Sequence, residues 1–144
     1  MRTETIAALE RKFVEFPRSC ASPVPHVEIV KAAEELGIPF PQQYVEFLEK
    51  YGGAEVGPYP IFGLRKAPSM GKSFSVIENT KAFQKNLPPG SPKWLIFSED
   101  HAGNSVGLTS EGKVCMWDHD YGEFVELADS FEGYLRKVCL ELPD

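Results

Sequence analysis

Cysteine, basic charge and long apolar runs are all scarce in this sequence, and each scarcity removes a class of function. The three cysteines, Cys20, Cys115 and Cys139, are scattered and odd in number, which argues against a disulfide framework and supplies no zinc-ligand spacing. Fifteen Lys and Arg stand against 21 Asp and Glu, a net charge of −6. Nucleic acid and anionic lipid both reward basic patches, so neither is an expected partner. No apolar stretch approaches the roughly 20 residues needed to cross a bilayer. The first residues, MRTETIAALERKF, lack the apolar centre of a signal peptide, and the expectation is a cytoplasmic protein. Catalytic signatures are missing too. There is no G-x-S-x-G elbow, and Gly71-Lys72-Ser73 lacks the upstream glycine of a phosphate loop.

What is present is enough apolar matter for one core. With 42% hydrophobic residues in a chain of 144, a single domain over 1–144 is expected. The organising stretch is KWLIFSEDHAGNSVGLTSEGKVCMWDHDYGEFVEL, Lys93 to Leu127. Trp94-Leu95-Ile96-Phe97 is too short for a helix and suits a strand covered on both faces. Val106 and Leu108 alternate with small or polar residues, and Thr109 to Gly112 reads as a turn. Val114 and Met116 then oppose Cys115 and Trp117 with a period of two, and a fourth strand is expected from Phe124 to Leu127. Connections this short imply an antiparallel meander.

Around it the pattern is helical. Ile6, Leu9, Phe13 and Phe16 recur at helical spacing in an N-terminal helix. Pro17 to Pro25 is a linker. A second helix starts near Pro25, turns Ile29, Ala33 and Leu36 inward and stops at Gly37, beyond which Ile38 folds back. The third, opened by Pro41, carries Phe40, Tyr44, Phe47, Leu48 and Tyr51 as a continuous apolar stripe read as core, and ends at Gly52-Gly53. Ala54 to Lys72 is a Gly- and Pro-rich loop with one candidate edge strand, Tyr59 to Leu64. Ser75 and Glu78 form a capping box for a helix bearing Val76, Thr80, Phe83 and Leu87. Asp129 is expected to cap a closing helix lined by Phe131, Tyr134, Leu135, Val138 and Leu142. The sum is an α+β fold: an antiparallel meander of about four to six strands, helices on one face, and a closing C-terminal helix.

One constellation carries chemistry. Glu99, Asp100 and His101 follow the first meander strand, and Asp118, His119 and Asp120 follow the third. Strands one and three of a meander run the same way, so both loops lie at one end of the sheet, about 10 Å apart. Such a set can bind a divalent metal or supply a general acid and base. No two of these residues sit at a spacing that fixes one face, however, and acidic loop tips are commonly solvated turns. The reading is no catalytic residue, no metal and no cofactor, with a metal-dependent hydrolase as the third-ranked function. Cys115 is read as packing on a sheet face.

LGIPFPQQYVEFLEKYGG (Leu36 to Gly53), WLIFSEDHAGNSVGL (Trp94 to Leu108), GKVCMWDHD (Gly112 to Asp120) and LADSFEGYLRKV (Leu127 to Val138) together resemble the SUKH superfamily in order and spacing. The resemblance spans 26–142; a helix within 1–16 and the loop from Ala54 to Lys72 are additions to the pattern. It implies a non-enzymatic binding domain: a bacterial immunity protein that neutralises a cognate toxin, often a nuclease, in the cytosol. The alternative it implies is a regulatory or scaffolding interaction module, like fungal relatives in cell-wall assembly. The expected partner is a basic protein toxin, held by Glu99, Asp100, Asp118, Asp120 and Glu123, with the 54–72 loop as the rival surface.

Overall fold

Turn-forming glycines and period-two alternation set the strand boundaries in the computed structural model, which describes residues 1–143. Helices α1 (Thr3–Glu15), α2 (His26–Leu36) and α3 (Gln42–Tyr51) come first, then strands β1 (Ala54–Val56) and β2 (Tyr59–Ile61), then α4 (Val76–Lys85). Strands β3 (Leu95–Glu99), β4 (Ser105–Leu108), β5 (Val114–Asp118) and β6 (Glu123–Ala128) follow, paired in chain order and all antiparallel. The short α5 (Phe131–Tyr134) closes the chain and continues as a π-turn segment, Leu135–Cys139, sealed by Leu140 N–H donating to Leu135 C=O at 2.8 Å.

The third helix behaves as its stripe demands. Tyr44, Phe47, Leu48 and Tyr51 are buried, and the Tyr44 hydroxyl donates to Phe62 C=O at 2.6 Å, which satisfies a fully buried polar group. Burial also pushes the Tyr44 phenol well above its ordinary range. Phe97 from the sheet meets Tyr44, Phe131 and Tyr134, so helix stripe, central strand and closing helix share one aromatic core. Gly52 ends α3 in the left-handed region at φ 75°, and a Cβ there would lie 1.9 Å from Ser22 C=O. Only glycine fits that approach.

Several expectations shift by a residue or two. In α1 the buried side chains are Thr5, Ala8 and Leu9, with Phe13 half-buried on Tyr51; Phe16 is 53% exposed because the helix ends at Glu15 and the chain turns away. Ala32, not Ala33, joins Ile29 and Leu36 under α2, and Ile38 closes that end by donating its N–H to Ala33 C=O at 3.2 Å. Leu87 lies past the end of α4, which Ser75 caps by accepting the Glu78 N–H. Ser130, not Asp129, caps α5, accepting the Gly133 N–H at 2.9 Å. The piece from Tyr59 to Leu64 pairs in a separate hairpin with β1, register Ala54↔Ile61, and does not enter the meander ladder as a strand.

β3 is covered on both faces. Leu95 and Phe97 enter the main core with Leu9, Tyr44 and Phe131; Trp94 and Ile96 form a second cluster with Phe83 of α4. α4 therefore rides along the edge of β3, sending Val76 into the main core and Phe83 to the other side.

Candidate protein-binding surface at one end of the sheet

The two acidic loops do lie at one end of the sheet, and a single buried side chain joins them. Asn104, at the end of the β3–β4 loop, accepts the His119 N–H at 3.1 Å through Oδ1 and bonds His119 Nδ1 with the same atom. Its Nδ2 donates to Asp100 at 3.1 Å. Asn104 thus fixes the β5–β6 loop against the β3–β4 loop, and its burial keeps water from competing.

Two of the five candidate carboxylates are committed to their own turns. Asp100 accepts the N–H groups of Ala102 at 3.0 Å and Asn104 at 2.8 Å. Partial burial opposes its ionisation, but these bonds and the Asn104 amide outweigh it and hold the carboxyl below its ordinary range. Asp118 accepts from Asp120 N–H at 3.0 Å and Tyr121 N–H at 3.3 Å, while Gly122 N–H returns to Asp118 C=O at 2.8 Å. These are turns in which a carboxylate substitutes for a backbone acceptor. Glu99, Asp120 and Glu123 are exposed and close no turn, and Asp120 Oδ1 lies 3.3 Å from His119 Nε2. In the ladder Asp118 stands directly opposite Glu123, a like-charge pair where an opposite-charge pair would stabilise the sheet.

The two loops border different cavities. Glu99, Asp100 and His101 line a cavity of about 460 Å³ against the β1–β2 hairpin and Lys72, with the His101 ring stacked on Tyr59 at 5.0 Å. Asp118, Asp120 and Glu123 belong to the β5–β6 hairpin, where His119 and Trp117 line a groove of about 690 Å³ on the other side. The two histidines thus look into different cavities, and among the described residues no group of three His, Cys, Asp or Glu has metal-holding geometry. His26, at the start of α2, is exposed beside Glu49.

Sequence reasoning missed the groove. Its far wall is Phe83, Leu87 and Pro88, and its floor is aromatic: Phe124 packs on Trp117 at 4.6 Å and on Trp94 at 4.4 Å. Gly107 makes this possible. A Cβ there would sit 3.1 Å from the Trp94 ring and 3.0 Å from Ile96 Cδ1, so glycine leaves Trp94 room to lie across the strand. Cys115 packs in the same cluster, its thiol raised by burial. The only signal for the groove was the recurrence of Trp94, Trp117 and Phe124 at positions that share a sheet face.

Residues 23–137 match the sequence model described as SMI1 / KNR4 family (SUKH-1). No curated protein matches the chain. The matched range begins after α1, although Thr5, Ala8 and Leu9 of that helix are buried in the same domain. Arg136, 4% exposed, anchors it by donating to Thr5 Oγ1 at 3.0 Å, and Glu132 accepts the Arg2 N–H at 2.6 Å.

Proposed function

The chain belongs to the SMI1 / KNR4 family (SUKH-1), and from that premise we propose that it is a non-enzymatic binding protein, an immunity protein that neutralises a cognate toxin. The observation that carries the reading is the acidic hairpin end. Asp118 and Glu123 oppose one another in the ladder at a cost to the sheet, with Asp120 at the tip, on loops that Asn104 holds rigid. A preorganised acidic surface complements a basic protein. A nuclease must hold a polyanion, so its working face is positive, and an acidic inhibitor covers it by imitating that charge.

The experiment is co-production with the product of a neighbouring toxin gene, followed by the association rate of the pair at increasing salt. Because Asp100 and Asp118 hold their own turns, the informative variant reverses the carboxylates that close no turn, Glu99→Lys, Asp120→Lys and Glu123→Lys. Expected are co-purification, rescue of intoxicated cells, and association slowed at least about tenfold in the variant, with the parent's rate falling as the Debye length shrinks from about 10 Å at 0.1 M to about 3 Å at 1 M salt. An unchanged rate and full protection by the folded variant would move the interface elsewhere.

A further inference from the structure

We propose that the outer edge of β6 is a docking strand that takes an extended, basic segment of the partner protein as a fifth strand of the meander. This rests on the partner-binding reading above and adds how the partner is held.

β6 ends the sheet order, and among the described residues its backbone pairs with β5 alone. A row of unpaired N–H and C=O groups is a template for another strand, with main-chain bonds giving affinity and side chains giving choice. The register with β5 shifts between Val114 and Cys115, so the regular part of that edge is Glu123 to Glu126. Within or beside it lie Tyr121, 79% exposed, Phe124, 46%, and Val125, 41%. These are large apolar groups held at a surface, where an ordinary solvated hairpin carries polar ones.

Charge selects the occupant. Asp118, Asp120, Glu123, Glu126 and Asp129 flank the edge, and the neighbouring cation, Lys113, lies 3.5 Å from Glu126. A second copy of this chain would bring an equally acidic edge against it, and like charges across a strand pair repel. Edge charges protect natural sheets from indiscriminate pairing: acidic ones repel an acidic strand and would be desolvated without a partner by a neutral one, whereas a basic strand supplies the partner. A segment alternating Lys or Arg with apolar residues meets both features, because cations on the face of Glu123 put its apolar groups beside Phe124, and cations on the face of Glu126 put them beside Val125. Phe124 also forms the near wall of the aromatic groove, so an Arg reaching over the edge finds the Trp117 and Phe124 rings.

The test uses the full chain labelled with nitrogen-15 and two synthetic ten-residue peptides, one alternating Lys and Arg with Val and Tyr, the other with Glu in place of each cation. The basic peptide is expected to shift the amides of 123–126 and slow their exchange, and the acidic peptide to leave them unchanged. The double variant Val125→Lys, Glu126→Lys, whose spectrum reports that it stays folded, is expected to weaken the basic peptide at least about tenfold, as lysine-guarded edges resist pairing. Unshifted 123–126 amides, or a folded double variant that binds as the parent does, overturns the proposal. With a toxin in hand the two readings separate. A double variant that holds toxin at the parent's affinity removes the docking strand and leaves the immunity function. A parent that binds the basic peptide on β6 but neutralises no toxin supports the strand and removes the immunity reading.

Discussion

β3 and β6 bound the same sheet on its two sides, and the rest of the chain treats them in opposite ways. The outer side of β3 is closed group by group. Thr80 of α4 accepts the Ile96 N–H at 2.9 Å, Phe62 N–H donates to Phe97 C=O at 2.6 Å, and the Ser98 hydroxyl donates to Pro60 C=O at 2.5 Å. Two separate segments, one a helix and one β2 with the residue that follows it, therefore share the work of satisfying one strand. Among the described residues β6 receives no such cover, and its first four residues are exposed. The fold has spent its helices on the strand nearest the aromatic core, where an orphaned polar group would be costly. The other edge lies where its side chains already meet solvent, so an unpaired backbone group there is not buried.

The comparison breaks hardest at Phe97. Phe97→Ala empties the point where β3, α3 and α5 meet, and a loss of about 3–5 kcal/mol is expected from denaturant unfolding. A loss under about 1 kcal/mol would mean that the shared core does not organise the fold. Thr80→Val tests the seal itself. It keeps the shape and removes the acceptor, so the buried Ile96 N–H is left unpaired at about 1–3 kcal/mol. Equal stability of parent and variant would show that water or another group replaces the hydroxyl.

On the open side the same measurements should show little. Val125→Lys is expected to change stability by no more than about 0.5 kcal/mol, because the side chain already meets solvent. A larger loss would show that the β6 edge is packed. The Asp100 turn sharpens the contrast through pH. Its carboxyl is held below the ordinary value, so its contribution is fully present above the unfolded-chain pKa of about 3.9 and is lost as pH falls through the lower folded value. The stability difference between parent and Asp100→Asn should therefore be constant near neutrality and narrow in the acid limb. A difference that stays constant down to pH 2 would remove the ionic part of the turn.

Much of the sealed half was legible in the chain. The stripe from Tyr44 to Tyr51, the Ser75 cap and the turn at Gly37 are local patterns, each decided by residues within a few positions of one another. The meander followed from turns too short for any crossover, and the placing of both acidic loops at one end followed from strand direction alone. Local patterns also misled where two adjacent residues offered the same chemistry. Asp129 and Ser130 both suit a helix cap, and the start of α5 at Phe131 put Ser130 in that place.

The five acidic residues show where sequence stops. Their types and positions were readable, but whether each carboxylate faces a partner or closes its own turn depends on backbone N–H groups brought round by the loop, and this is how Asp100 and Asp118 differ from Asp120. The open edge of β6 was not readable either. A strand is written by its own alternation, whereas an edge is defined by which distant segment arrives beside it. Residues 62 and 80 reached β3, and nothing in the described chain reached β6. Sequence by itself determined most of the elements, their order and the charge of the exposed end, because periodicity and turn chemistry act over a few residues. It did not determine β1, which lay in a stretch read as a loop, nor the early end of the closing helix. Tertiary structure alone decided which edge stays open and which acids remain free, because hydrogen-bond partners for backbone and carboxylate groups are supplied by residues far apart in the chain.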